Sequence, residues 1–311
     1  MDLFAYLLGK KQGGGGGVEP SGTIEITKNG TYDVEAFKSA EVNVSGGGSD
    51  DIWPKIVDRT ISGTLADSTI SNIGMFALTY CSALTAVSFP NVTTIGENAF
   101  WECSALTAVN FPNVTTIGEN AFLECSALTA VNFPNAITIE LGAFEDCTNL
   151  SSVNFPNATA IGEVAFAACT NLSSVNFPNV TLIGWNAFNA CSNLTAVNFP
   201  NATEIGEAAF TRCSALTSVS FPNATSIEDS AFNKCSMLIS AYFLTSTVPT
   251  LYDSHAFFST PIAGYTAYTS GQLGSIYVKA SLYDAFCSAT NWAYYASRIV
   301  SMTDEEIEAL G

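Results

Sequence analysis

A period of 22 residues runs through most of this 311-residue chain and constrains its fold more than any other feature. Cysteines recur at this step at Cys81, Cys103, Cys125, Cys147, Cys169, Cys191, Cys213 and Cys235. Phe-Pro-Asn triplets keep the same step from Phe89 to Phe221. A fixed period of roughly 20 to 50 residues is typical of solenoids, in which each repeat contacts only its neighbours. We therefore predict an elongated array of stacked coils over residues 58–245.

Within one repeat, the apolar residues indicate how each coil is built. Leu84, Val87 and Phe89 have a spacing that predicts one short strand per coil with the apolar side chains inward. Ile95 and Phe100 are spaced as in a short helical or 3-10 turn on the opposite wall. Strands from successive coils then lie side by side in a parallel sheet.

The repeated run I-G-x-x-A-F-x-x-C-x-x-L-x-x-V-x-F-P covers residues 73–243 and resembles the BspA-like leucine-rich repeats of bacterial surface proteins. The resemblance implies a repeat solenoid: a right-handed leucine-rich-repeat coil with one short parallel β-strand per 22-residue repeat and short helical or 3-10 turns opposite. It also implies a role in adhesion at a bacterial surface.

Changes in composition and in the period divide the chain into segments. We predict an N-terminal anchor with a glycine linker (1–17), a small β-module (18–45), a linker (46–57), the solenoid (58–245), an α+β C-terminal cap (246–300) and an acidic tail (301–311). In the cap, residues 276–278 predict a strand, residues 280–289 a helix, and Trp292, Tyr294 and Tyr295 an aromatic plug.

The N-terminal segments indicate how the solenoid is displayed. Residues 1–11 fit either a frayed terminus or a short amphipathic anchor that docks onto a particle or a partner protein. In residues 18–45, Ile24 and Ile26 alternate with polar residues before an Asn29-Gly30 turn, which predicts a hairpin. This pattern resembles short β-modules of tail-associated proteins from phages and prophages of Gram-positive bacteria.

Charge and composition exclude several functions. The chain has 28 acidic and 10 basic residues, a net charge of -18, and residues 58–245 alone hold 14 acids and 3 bases. This balance disfavours nucleic acid and anionic membrane surfaces as partners, because both bind through Lys and Arg. No segment is apolar over enough residues to insert in a membrane. The chain has a single histidine, His255, which excludes a multi-histidine metal site. Because His255 lies in the predicted cap, we expect its role to be structural and not catalytic.

We expect no catalytic residues, no cofactor and no metal, and therefore no enzyme. The periodic cysteines lack C-x-x-C spacing, and in-register parallel side chains are poorly placed for disulfides, so we predict a ladder of buried free thiols. Such thiols indicate folding in the reducing cytoplasm of a bacterial host. The asparagines after each Phe-Pro pair predict a ladder that satisfies backbone groups at a corner.

Two outward surfaces are candidates for recognition. The strand positions on the concave sheet carry small polar residues and no aromatic or Arg anchor; their longest row is Asn110, Asn132, Asn154, Asn176 and Asn198. A second edge carries tryptophans among acids: Trp101 and Trp185 with Glu97, Glu119, Glu163 and Glu207. The alternative for this edge is that its positions face solvent and are free to vary.

The sequence therefore predicts a non-catalytic recognition or adhesion protein that displays a leucine-rich-repeat rod. The leading interpretation is association with a phage or prophage tail and binding to a protein or glycan of a bacterial surface, with final location on a virion or outside the cell. The alternatives are a BspA-like adhesin on the bacterial cell surface and a structural spacer or assembly protein without its own ligand.

Overall fold

The computed structural model describes residues 26–28, 62–66, 70–264 and 273–309. Over these ranges the chain forms a parallel β-solenoid, as the 22-residue period predicts. Partner residues on neighbouring coils are 22 apart throughout the repeats; Ser152, for example, pairs with Ser174.

The strand predicted for each repeat lies on the front of the solenoid, and further strands at the two ends extend this surface, which we call the strand face. Numbered in chain order, they are β2 (Ser62–Ala66), β4 (Ala83–Ser88), β6 (Ala108–Asn110), β8 (Ala130–Asn132), β10 (Ser152–Asn154), β12 (Ser174–Asn176), β14 (Ala196–Asn198), β16 (Ser218–Ser220), β18 (Ser240–Phe243), β20 (Ser275–Lys279) and β21 (Ile299–Met302). Their ladder is split into three sheets, β2 to β6, β8 to β12 and β14 to β21.

Each coil also contains a second, shorter strand that the sequence analysis did not predict. These strands are β1 (Ile26–Lys28), β3 (Ile70–Ile73), β5 (Thr94–Ile95), β7 (Thr116–Ile117), β9 (Thr138–Ile139), β11 (Ala160–Ile161), β13 (Leu182–Ile183), β15 (Glu204–Ile205), β17 (Ser226–Ile227) and β19 (Thr250–Leu251). They form one continuous ten-stranded sheet on another side of the solenoid, which we call the second sheet. It is parallel except that β1 pairs antiparallel with β3.

The wall after the second sheet consists of successive turns. In one coil, the Ala99 N–H bonds to the Gly96 carbonyl within the turn, while the Asn98 and Phe100 N–H groups bond to carbonyls of the next coil at 2.8 Å. Asn98 and Glu102 adopt positive φ angles of 54° and 55°. The expected 3-10 geometry is therefore present as single turns that alternate with bonds between coils.

Columns of identical side chains fill the interior. One coil contributes Leu150, Val153, Phe155, Ala158, Ile161, Ala165, Phe166 and Cys169, all buried. The ring of Phe166 stacks on the rings of Phe144 and Phe188 in the coils before and after it, at centroid distances of 5.3 and 5.4 Å. Burial of such large apolar side chains is the dominant stabilising contribution, and the stacked geometry adds to it.

The predicted corner ladder is confirmed. The Asn157 side chain donates to the carbonyl of Pro134 in the preceding coil at 2.8 Å, and Asn179 donates to Pro156 in the same way. Proline leaves that carbonyl at a turn without a strand partner, and the asparagine amide supplies the missing donor.

At the N-terminal end, Ile26–Lys28 lies against Ile70–Ile73 at the edge of the second sheet. The predicted anchor, and the predicted β-module apart from residues 26–28, lie outside the described residues. Part of the segment assigned to a separate module thus pairs with the solenoid.

The C-terminal cap continues the stack and then closes it. The predicted strand is confirmed as β20, which pairs with β18, and the predicted helix is divided into a 3-10 turn (Ala280–Leu282) and α1 (Tyr283–Ser288). A 3-10 helix (Trp292–Arg298) leads into β21, and α2 (Asp304–Glu308) follows. Residues 301 and 302, assigned to the tail by sequence, belong to β21.

The aromatic plug is smaller than predicted. Trp292 and Tyr295 are fully buried, and the Trp292 indole donates to the carbonyl of Pro249 at 2.8 Å. The prediction for Tyr294 was wrong: its side chain is 66% exposed. Adjacent residues in this 3-10 helix point in different directions, so only one of the two neighbouring tyrosines can face the core.

Candidate functional site

The strand face carries the predicted row of asparagines on its outward positions. Asn154 donates to the side-chain oxygen of Asn132 at 2.7 Å, and Asn176 donates to that of Asn154 at 2.6 Å. Asn110 donates to Ser88 at 2.8 Å, and Asn198 is exposed on the next sheet of the face. Because an amide nitrogen carries two hydrogens, a single bond along the row leaves a second N–H available to a ligand.

This row ends in an aromatic pair that the sequence analysis missed. Ser220 pairs in register with Tyr242, and Tyr242 pairs with Tyr277. The two partly exposed rings are stacked, with centroids 4.7 Å apart. The expectation that the face lacks aromatic anchors was therefore wrong.

A signal for the pair was present in the chain. Tyr242 follows Ser220 by one period of 22 residues, and its Ala-Tyr-Phe context is matched by Ile-Tyr-Val at residues 276–278. The next partner, Tyr277, does not follow at the 22-residue step, because the ladder continues into the cap across a longer connection.

Trp101 is less exposed than the sequence suggested. Its ring packs against that of Tyr80, with centroids 5.0 Å apart, and its indole nitrogen is buried with no hydrogen-bond partner within the described residues. The side chain therefore serves packing between coils at least as much as it serves the surface.

Trp185, in contrast, is 46% exposed and borders a groove of about 420 Å³ on the side of the second sheet. We call this the Trp185 groove; its lining is Ile161, Gly162, Glu163, Leu182, Ile183, Gly184, Trp185, Glu204, Ile205, Gly206, Glu207 and Glu228. It brings together three of the predicted edge residues, Trp185, Glu163 and Glu207. Glu97 and Glu119 occupy the same row in earlier coils and do not line it.

The acids along this edge are close enough to repel one another. Burial, together with the charge of Glu119, raises the pKa of Glu97. Burial also raises the pKa of Glu228, as do Glu207 and Glu204. Among the residues that the structure describes, no carboxylate forms an ion pair with Lys or Arg; the one close charged contact joins His255 to Asp253. The negative charge is therefore left for solvent or a partner to neutralise.

The predicted thiol ladder is confirmed: all nine cysteines are free, and the eight periodic ones are buried. Each thiol in the regular coils donates to a carbonyl of the preceding coil, as Cys169 does to Phe144 at 3.1 Å. Burial raises the pKa of the Cys147 and Cys169 thiols well above its usual value. Such thiols lack the thiolate character and the access that nucleophiles and metal ligands require.

His255 lies beside two carboxylates. Its ring and its backbone N–H both contact Asp253, which lowers the pKa of that carboxyl. Asp229 also approaches, so one ligand atom from each of the three side chains lies within 4.8 Å of the others. Asp253 is thus bonded to the ring and to the backbone of His255 within a single loop. These contacts within the loop fit the structural role predicted for His255.

No helix in the described parts of the chain has both the length and the apolar character that a membrane-spanning segment needs.

Each coil has about 22 residues, an inward Leu, Val and Phe, and an outer face of hydrogen-bonding side chains. These features define the class of leucine-rich-repeat solenoid proteins. More narrowly, residues 60–169 and 137–263 match the BspA type leucine rich repeat region in six copies. The chain belongs to this family.

Several solved structures resemble the chain over part of its length. A leucine-rich cell surface protein of Faecalibacterium prausnitzii is 28% identical over 62% of this chain and 63% of its own length, with a TM-score of 0.48. The pneumococcal vaccine antigen PcpA is 14% identical over 78% of this chain and 67% of its own, with a TM-score of 0.44. A leucine-rich repeat protein of Bacteroides ovatus is 18% identical over 79% and 85%, with a TM-score of 0.38. A comparison with curated protein sequences found no match.

Proposed function

We propose that the protein is a non-catalytic recognition and adhesion protein that binds a protein or a glycan on a bacterial surface through its strand face. The observation that carries the proposal is the outward row of asparagines that ends in the stacked Tyr242 and Tyr277 rings. Aromatic side chains are the usual anchors of recognition surfaces, and the amides beside them supply hydrogen bonds. Membership of a bacterial surface-repeat family supports the same role.

The chemistry of the face fits an uncharged partner. Its positions in the regular repeats are occupied by Ala, Ser, Thr and Asn, while the acids lie on other rows. A polar, uncharged surface costs little to desolvate compared with a charged one. Such a surface suits the hydroxyl groups of a glycan or the backbone of a peptide.

Binding of the full chain to an array of bacterial glycans and to purified cell walls tests the proposal. We expect Tyr242→Ala with Tyr277→Ala to weaken binding about tenfold or more, because truncation of aromatic anchors has effects of that size. Tyr252→Ala is the matched control, since this tyrosine is exposed but lies off the strand face. Equal binding by the double variant and the parent would show that the strand face is not the site.

For the biological setting, we propose display on a phage or prophage tail after folding in the cytoplasm of the bacterial host. Support comes from the resemblance of residues 18–45 to phage tail β-modules and from the column of free thiols. A cell-surface adhesin is the second candidate, which the family favours.

Deletion of residues 1–17 is expected to abolish incorporation into particles while leaving glycan binding unchanged. Normal incorporation of the truncated chain would reject residues 1–17 as the anchor, and absence of the full chain from particles would reject the tail assignment. A chain that binds no surface at all would favour a spacer.

A further inference from the structure

The Trp185 groove is a trench between two rows of side chains. Its floor is formed by Gly162, Gly184 and Gly206 over the buried isoleucines of β11, β13 and β15. A Cβ on Gly184 would lie 2.7 Å from the backbone nitrogen of Glu163, so the close stacking of coils excludes a side chain there. The same collision arises at the other two glycines. The bare floor is thus a consequence of how the coils pack.

Apolar and acidic side chains form the walls of this trench. Leu182 and Trp185, 42% and 46% exposed, present apolar surface from one coil. Glu163 and Glu207 lie in the coils before and after Trp185 in the same row, and Glu204 is the register partner of Leu182. Glu228 fills the next position of the glycine row and closes one end.

The charge of the trench is not compensated. The lining contains four carboxylates and no Lys or Arg, and none of these carboxylates is ion-paired within the described residues. A cation above the face of a tryptophan is attracted by the ring, and flanking carboxylates add to that attraction. Apolar walls with an acidic rim match a side chain that has an aliphatic stem and a cationic head, as Lys and Arg do.

The dimensions fit an extended chain. The trench crosses four coils, and three intervals of the strand spacing give roughly 14 Å, which an extended segment of about four or five residues would cover. We propose that the Trp185 groove binds a basic, extended polypeptide segment of a partner protein. The groove is on the second-sheet side, so this binding is independent of the strand face and of the function proposed for it.

The test uses the full chain and a fluorescein-labelled penta-lysine peptide, with penta-serine and penta-glutamate peptides for comparison. Fluorescence polarisation at low ionic strength measures the affinity, and circular dichroism checks that each variant is folded. We expect binding of penta-lysine alone. Trp185→Ala is expected to weaken it about fivefold, because the cation-π contact and the apolar wall are both lost.

A pair of matched double variants separates the groove from the general negative charge. Glu163→Gln with Glu207→Gln removes two charges beside Trp185 and is expected to weaken binding about threefold or more. Glu97→Gln with Glu119→Gln removes two charges from the same row outside the groove and is expected to leave binding nearly unchanged. Equal losses in the two double variants, or an unchanged affinity of Trp185→Ala, would overturn the proposal, since the peptide would then follow net charge alone.

Discussion

At the scale of single residues, the periodic cysteines show what the sequence can reveal and what it leaves out. Their spacing and the missing C-x-x-C pattern correctly predict buried free thiols. The hydrogen bond from the Cys169 thiol to the Phe144 carbonyl was not predicted. It depends on the offset between neighbouring coils, which places residues 25 apart in contact although the period is 22. Cysteine thus combines a small apolar volume with a weak donor for a buried carbonyl.

The thiol ladder predicts a specific reactivity. In the native protein, a thiol reagent is expected to modify at most Cys287, which is partly buried, while all nine cysteines react after unfolding. The eight periodic thiols are protected because burial excludes the reagent, and burial also raises the pKa of thiols such as those of Cys147 and Cys169. Titration with an aromatic disulfide, with and without denaturant, gives the two counts. The control, Cys287→Ser, should show no native reaction, and two or more fast-reacting thiols in the parent would contradict the ladder.

At the scale of elements, the regular repeats were predictable and the cap only in part. Identical residues at a fixed period make the register of β8, β10 and β12 unambiguous, since any other register would place Val153 outside the core. The cap has no period, so the exposure of Tyr294 and the pairing of Tyr242 with Tyr277 depend on a connection whose path the sequence does not determine. The second strand of each regular repeat, such as Thr94–Ile95, spans two residues, too few for an alternation pattern to be recognised.

The cap is predicted to stabilise the whole stack through Trp292. Its indole packs edge-on against Phe243 and Phe286, with centroids 5.4 and 5.0 Å away, and covers the last coil. Trp292→Ala is expected to cost about 3–5 kcal/mol, as other truncations of buried large side chains do. Urea unfolding followed by far-ultraviolet circular dichroism measures the shift. Tyr294→Ala, at an exposed neighbouring position, should stay within about 0.5 kcal/mol of the parent. Equal midpoints for the two variants would show that Trp292 does not hold the cap.

At the scale of the whole molecule, repetition of the coil multiplies the negative charge that a single repeat carries. Acids at the same outward position of neighbouring coils form rows such as Glu97 and Glu119, or Glu102 and Glu124. The spacing of coils keeps the backbones of these neighbours about 5 Å apart. The pKa values of Glu97 and Glu102 are raised, first by burial and then by these neighbours. The burial and the repulsion that raise them both disfavour the folded state when the carboxylates are ionised.

The burial of these carboxyls, together with the repulsion between them, predicts that the protein becomes more stable as the pH falls towards 5. A carboxyl whose pKa is raised above 4.5 on folding stabilises the folded state below that value and loses this contribution as the pH rises through its folded pKa. The free energy of unfolding is therefore expected to be higher at pH 5 than at pH 8, by on the order of 1 kcal/mol because these groups are largely solvated. Added sodium chloride at pH 8 should recover part of the difference by screening. Urea is the appropriate denaturant, since guanidinium is itself a screening salt.

Glu119→Gln removes a charge that raises the pKa of Glu97 and should reduce the dependence of stability on pH. Glu308→Gln, at an exposed position of α2, is the control and should leave that dependence unchanged. A stability that rises from pH 5 to pH 8 would show that the acid rows do not govern it.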